Sequence, residues 1–260
     1  MKIREIIGAL EDFAPLALQD GFDNAGLQIG LTEDVDAAGV LLSLDVTESV
    51  IDEAVSLGCN MIVSHHPLLF HPVKSITGKD YVERCIIKAI KNNIALYAAH
   101  TNLDNAKGGV NHRMAEKLGL ENITWLEPKQ GIEGGSGLIG NLKETLTKEQ
   151  FVEYVKDVFR VDCVRFNSWN GTDISRVAVC GGAGAFLMSN AIQANADAFI
   201  TGEIGYHRFF GHENDLLLME IGHFESEQYT LEILSEIISN AAPDVPVLFT
   251  KQHTNPISYK

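Results

Sequence analysis

The chain has 260 residues, with 20 Lys+Arg against 35 Asp+Glu and a formal net charge of −15. With 45% hydrophobic and 21% charged residues it has the composition of a folded globular protein, long enough for one large or two modest domains and unlike a disordered or fibrous chain. The acid excess argues against a duplex nucleic-acid partner, because that binding rests on Lys and Arg neutralising phosphates.

The first segment, Ile3–Phe13, carries apolar residues at helical spacing with Arg4, Glu5, Glu11 and Asp12 among them, so we expect an amphipathic helix and not a secretory signal. No run approaches the roughly 18 apolar residues of a membrane-spanning helix. The expectation is a cytoplasmic protein with no membrane partner. A buried strand at Gly39–Val46 precedes a helix from Thr47, its N-cap, to Leu57, and a second strand covers Asn60–Ser64. A helix over Asp80–Asn93 leads to the strand Ile94–Ala99, and another covers Gly109–Leu118. Trp125–Gly140 is rich in glycine and aperiodic, which predicts a domain junction or an irregular hairpin.

Beyond it the spacing predicts a helix at Thr147–Phe159, strands at Asp162–Phe166 and Arg176–Cys180, and a helix at Ala185–Asn195. The strand Ala198–Thr201, a short helix near Tyr206–Asn214, the strand Leu216–Ile221, a helix at His223–Asn240 and the strand Val245–Thr250 complete the chain. This alternation predicts an α/β fold with mostly parallel sheets in two lobes. The lobes are expected at 1–126 and 127–260, with 222–260 returning its motif to a shared site. Cys59, Cys85, Cys163 and Cys180 form no CxxC, and Cys59, Cys163 and Cys180 lie beside apolar runs, as buried small hydrophobes do.

Three clusters follow apolar strands, at the carboxyl edge where α/β sheets bind ligands. The first is Ser64-His65-His66-Pro67. In extended backbone adjacent side chains point to opposite sides, so His65 and His66 would serve two metals more easily than chelate one. A capped strand end with two hydrogen-bonded histidines is the alternative. The second is Ala99-His100-Thr101-Asn102-Leu103-Asp104, where Asp104 offers an anionic oxygen and an Asx-turn is the alternative. The third is Gly222-His223-Phe224-Glu225-Ser226-Glu227, in which His223 and Glu227, four apart, share one helical face. Three imidazoles and two carboxylates exceed a closed tetrahedral zinc site and suit two metals about 3.5–4 Å apart, with a bridging water acidified toward neutrality.

These clusters, together with Phe22-Asp23-Asn24-Ala25-Gly26-Leu27-Gln28-Ile29-Gly30 and Thr201-Gly202-Glu203-Ile204-Gly205-Tyr206-His207, closely resemble the Nif-three-like, YbgI/YqfO-type dinuclear metal centre family. Members of that family are often labelled GTP cyclohydrolase I type 2 homologues, and the motifs match in order from about residue 20 to 230. The resemblance implies His65 and Asp104 on one metal, His66 and His223 on the other, and Glu227 bridging both. It implies two interlinked α/β lobes with the metal pair in the cleft between them, assembled as a toroidal hexamer. Phe22 stands where Trp is usual and Glu203 where Asp is frequent, and the chain is short for the family, as expected without an extra central domain.

By motif His207 and Glu203 are candidates for substrate contact or proton transfer, and His100 is a further candidate or a group that orients a ligand. Cys180-Gly181-Gly182-Ala183-Gly184 lacks the third glycine of a dinucleotide fingerprint but could turn backbone N–H groups toward a phosphate. The function these residues imply is a metal-dependent hydrolase of a nucleotide or other small molecule, cyclohydrolase-like or phosphatase-like. Its two divalent ions could be Zn, Fe, Mn, Co or Ni. The contrasting reading is a non-enzymatic metal-binding regulator or scaffold that forms a ring.

Overall fold

The computed structural model describes residues 1–30, 34–171 and 173–260. In chain order the elements are α1 (Ile3–Phe13), β1 (Gly26–Ile29), β2 (Val40–Ser43), α2 (Glu48–Ser56), β3 (Met61–Ser64), α3 (Tyr81–Lys91), β4 (Ala95–Ala98) and α4 (Thr101–Asp104). Then come α5 (Val110–Lys117), β5 (Glu121–Pro128), β6 (Gly135–Leu146), α6 (Lys148–Phe159), β7 (Arg165–Phe166) and β8 (Ile174–Cys180). The chain continues through α7 (Met188–Gln193), β9 (Ala198–Thr201), β10 (Leu217–Glu220), α8 (His223–Glu227), α9 (Thr230–Ala241) and β11 (Val247–Phe249). Two compact units divide it, Met1–Leu103 with Thr230–Ser258, and Asp104–Tyr229 with Tyr259–Lys260. The division falls at Leu103 because α5 packs on the second sheet through Met114, Ala115 and Leu118 and β5 pairs with β6 in that sheet.

In the first unit the sheet order is β1-β4-β3-β2-β11, parallel throughout except for the edge pair of β1 with β4. Every residue of β2, β3 and β4 is buried, as expected of parallel strands covered on both faces. The period of two divides them. Leu41, Ile62 and Leu96 pack with Ile51 of α2 and Ile86 of α3, while Val40, Leu42, Met61, Val63 and Tyr97 are buried outside that cluster. Thr47 caps α2, its hydroxyl accepting from Val50 N at 3.3 Å, as its position before the helix predicts.

The second unit holds the sheet β5-β6-β8-β9-β10-β7, parallel at β8-β9-β10 and antiparallel at its margins. Alternation again sorts the core. Val177, Val179, Ala198, Ile200, Leu217 and Met219 face Met114 of α5 and Phe151, Val155 and Phe159 of α6. Ala178, Cys180, Phe199, Leu216 and Leu218 face Met188 and Ala191 of α7.

Several expectations change. Gly26–Ile29 is a strand the sequence reading did not contain, and Trp125–Gly140 spans the β5–β6 hairpin. The strand expected over Asp162–Phe166 shrinks to two edge residues, and the helix near Tyr206–Asn214 is one 3₁₀ turn, Tyr206–Phe209. The helix expected over His223–Asn240 is two, α8 and α9, parted at Gln228 and Tyr229. Cys59, Cys85 and Cys180 are buried, whereas Cys163 is exposed, because its segment is not a covered strand.

Candidate metal centre

In the first unit His65 and His66 follow directly from β3. Their amides donate to the carbonyls of Ser43 and Leu44, at 3.2 and 2.9 Å. The Ser64 hydroxyl donates to the His66 carbonyl at 2.8 Å, folding the chain into a bend. The bend cancels the alternation expected of extended backbone, and the two imidazole centroids lie 4.9 Å apart. His100, after β4, completes a triangle at 5.3 Å from His65 and 5.5 Å from His66. One potential ligand atom from each of the three rings lies within 4.8 Å of the others.

Each ring is held through Nδ1. That of His65, a fully buried side chain, lies 2.7 Å from the carbonyl oxygen of Ala99. For His66 the partner is Asp45 Oδ1 at 2.8 Å, and for His100 it is Asp23 Oδ1 at 2.7 Å. A carbonyl or an ionised carboxylate can only accept, so each Nδ1 carries a proton, and Nε2 is the nitrogen that bears the lone pair when the ring is in its neutral form. Metal-ligating histidines have this arrangement, with the second nitrogen donating to a carbonyl or carboxylate.

Both carboxylates are tuned to stay ionised. Burial pushes Asp23 up, but the hydrogen bond and charge of His100, the Thr101 hydroxyl and the Asn24 amide overcome it and hold the group at about 2. Burial likewise opposes Asp45, which His66, the Thr254 hydroxyl and His65 bring below its ordinary value. Asp45 is a residue the sequence reading missed. It lies two residues beyond Ser43, as His66 lies two beyond Ser64, the residue paired with Ser43 in the β2–β3 register.

In the second unit His223 opens α8 with Nδ1 2.9 Å from Glu203 Oε1 and Nε2 3.1 Å from Glu227 Oε2. His223 and Glu227 do meet on one helical face, and Glu227 is 2% exposed. The loop after β8 closes on them. Gly182 has φ +59°, and a Cβ built there would collide with Glu227 Oε1 and lie 3.4 Å from His223 Cε1. Its amide donates to Ser226 Oγ at 3.0 Å and its carbonyl accepts from the Gly202 and Glu203 amides at 2.9 and 3.0 Å. Asn111 joins Asp104 to this loop, its Nδ2 donating to the Asp104 carbonyl at 3.0 Å and its Oδ1 accepting from Gly181 N at 2.9 Å.

The structure therefore groups Glu203, His223 and Glu227. His207 is exposed on the 3₁₀ turn, with ring contacts to Tyr206 at 5.2 Å and Phe210 at 6.4 Å. Among the described residues, no helix is long and apolar enough to cross a membrane.

Two α/β units, each with imidazole and carboxylate donors at the carboxyl ends of parallel strands, define a protein with candidate divalent-metal ligands. Comparison with known proteins carries this further, and the chain belongs to the Duf34/NIF3 (NGG1p interacting factor 3) family, whose profile matches residues 1–256. A Clostridium perfringens protein named GTP cyclohydrolase 1 type 2 homolog is 36% identical, over 100% of both chains. A hypothetical protein of Staphylococcus aureus superposes with a TM-score of 0.92 at 30% identity, covering 100% of this chain and 99% of that one. A Bacillus cereus protein related to NIF3 does so at 0.89 and 28%, with the same coverage.

Proposed function

We propose that the protein is a hydrolase that works with two divalent cations, held by His65, His66, Asp104, His223 and Glu227. The reading assigns His65 and Asp104 to one ion, His66 and His223 to the other, and Glu227 to both. What supports it most is tautomer control: Nδ1 of His65 and of His66 each faces an oxygen acceptor, at 2.7 and 2.8 Å. Nε2 is then the nitrogen presented for ligation. The close approach of Glu227 and His223 to the bare Gly182 backbone is a second support. Imidazole with carboxylate suits Zn, Fe, Mn, Co or Ni.

Such ions act as Lewis acids and lower the pKa of water toward neutrality, which fits hydrolysis at a purine ring carbon or a phosphate ester. The chain's own residues orient and shield. Asp45 keeps the proton on Nδ1 of His66, Glu203 holds the His223 ring through Nδ1, and the buried His65 is closed to solvent. His100 and His207 are assigned to substrate contact or proton exchange. The name carried by the relatives, GTP cyclohydrolase 1 type 2 homolog, suggests GTP as a first substrate to try. The same reading takes the protein to be a cytoplasmic homohexameric ring.

Metal content by mass spectrometry, followed by a turnover screen with GTP, other nucleotides and simple phosphate esters, tests this. Two ions per chain are expected, with both metal and turnover lost in Glu227→Ala. Metal-replete protein that turns over none of these compounds would leave a metal-binding regulator or scaffold and sink the hydrolase.

A further inference from the structure

Phe22 and Phe70 are 67% and 38% exposed, and their rings meet edge to face with centroids 6.3 Å apart. Burial of either ring would be favourable, so two such rings standing together in water call for an explanation. Neither hangs loosely. Asp23, next to Phe22, binds His100 and Thr101, and Asn24 Nδ2 donates to the carbonyl of Leu69, next to Phe70, at 2.8 Å. The Leu69 amide in turn donates to Gln28 Oε1 at 3.1 Å. The two loops are thereby braced to each other and to His100.

Phe70 also packs edge-on against the His100 ring, with centroids 6.0 Å apart. His100 belongs to the cluster with His65 and His66, so the aromatic pair stands one ring away from the proposed ligands. An edge-to-face pair forms a corner, presenting the face of one ring and the edge of the other. A single planar ring fits it, stacked on one side and edge-on at the other. Neither phenyl group hydrogen-bonds, so the corner selects for flatness and π character and not for charge.

We propose that Phe22 and Phe70 set the substrate class of this protein by stacking a planar heteroaromatic ring, of nucleobase type, beside His100. The proposal rests on the reading of the histidine cluster as the reaction centre. Neutral nucleosides are the right probes, because they avoid repulsion by a chain of charge −15. Calorimetry with guanosine and adenosine, and with ribose as the ring-free control, is carried out on the metal-stripped and the metal-loaded full chain. The nucleosides bind and ribose does not. Phe22→Ala and Phe70→Ala each weaken nucleoside binding by about tenfold, as loss of one stacking partner does. Metal content and oligomeric mass are unchanged in both, and Phe22→Trp keeps the affinity.

Nucleosides that bind no better than ribose, or alanine variants with wild-type affinity, overturn the proposal. So does a change of oligomeric mass in those variants with nucleoside binding intact, which gives the corner to a second copy of the chain. If the wild type holds no metal or turns over nothing while nucleoside binding still depends on Phe22 and Phe70, the hydrolase reading fails and the ring site stands.

Discussion

Asp45 Oδ1 accepts a hydrogen bond from Nδ1 of His66 at 2.8 Å, joining residues 21 positions apart. Parallel pairing of Ser43 with Ser64 creates it, since each residue lies two positions beyond its paired serine. Thr254 holds the other oxygen at 3.0 Å, which fixes the carboxylate plane.

Asp45→Ala therefore frees the His66 ring to change tautomer and rotate. Metal affinity, measured by competition with a chromophoric chelator, falls by about 10–100-fold, the usual cost of losing a partner behind a histidine ligand. Asp45→Asn falls between, because its amide oxygen still accepts from Nδ1 but lacks the charge. Wild-type affinity in Asp45→Ala would remove Asp45 from the site.

Gly182 tests the second unit. Its positive φ costs a side-chain-bearing residue about 1–2 kcal/mol, and the new methyl meets Glu227 Oε1. Gly182→Ala is expected to unfold at lower temperature and also to retain less metal. Gly58 has φ +71° with open space around its Cβ position, so Gly58→Ala is the control that carries backbone strain without the collision. Equal metal content in the two variants would show that the close approach of Glu227 to Gly182 does not matter to the ligands.

Glu83 offers a pH test away from the site. The amides of Lys79 and Thr77, the Thr77 hydroxyl and the Gly78 amide hold its carboxyl at about 2, against an ordinary 4.5. A depressed folded value means the ionised form stabilises the fold. That stabilisation is fully present above pH 4.5 and is lost as pH falls toward 2. Glu83→Gln should thus melt below the wild type at pH 7, and the gap should close between those two values. A gap independent of pH would mean that shape and not charge is what the Thr77–Lys79 loop requires.

What could be read from the chain was what is local. His65, His66, His100, Asp104, His223 and Glu227 stood out because each follows an apolar strand, and buried parallel strands are legible as short apolar runs. Their partners were not legible in the same way. Asp45 meets His66 through the β2–β3 register, and the pairing of Glu203, itself a candidate by motif, with His223 comes through the β9–β10 register; strand register is written in no single segment. The facing of His65 and His66 was missed because a bend stabilised by the Ser64 hydroxyl replaces extended backbone. Gly26–Ile29 escaped because a four-residue edge strand with one exposed face has almost no periodic signal.

Metal should also stabilise the fold, because ligands gathered by folding bind more tightly than ligands on an unfolded chain. Removing metal with EDTA and then adding Zn or Mn at about 100 times Kd should contribute about 2.7 kcal/mol, a rise in Tm of about 5 °C for a chain of this size. His65→Ala separates this from packing. Removing a fully buried ring lowers the metal-free Tm whatever its role, since it leaves a cavity and an unmet Ala99 carbonyl. The informative quantity is the increment on adding metal, expected to fall to a small fraction of the wild-type value. An increment preserved in His65→Ala, and also in Glu227→Ala, would mean that the stabilising ion sits elsewhere on this acidic chain.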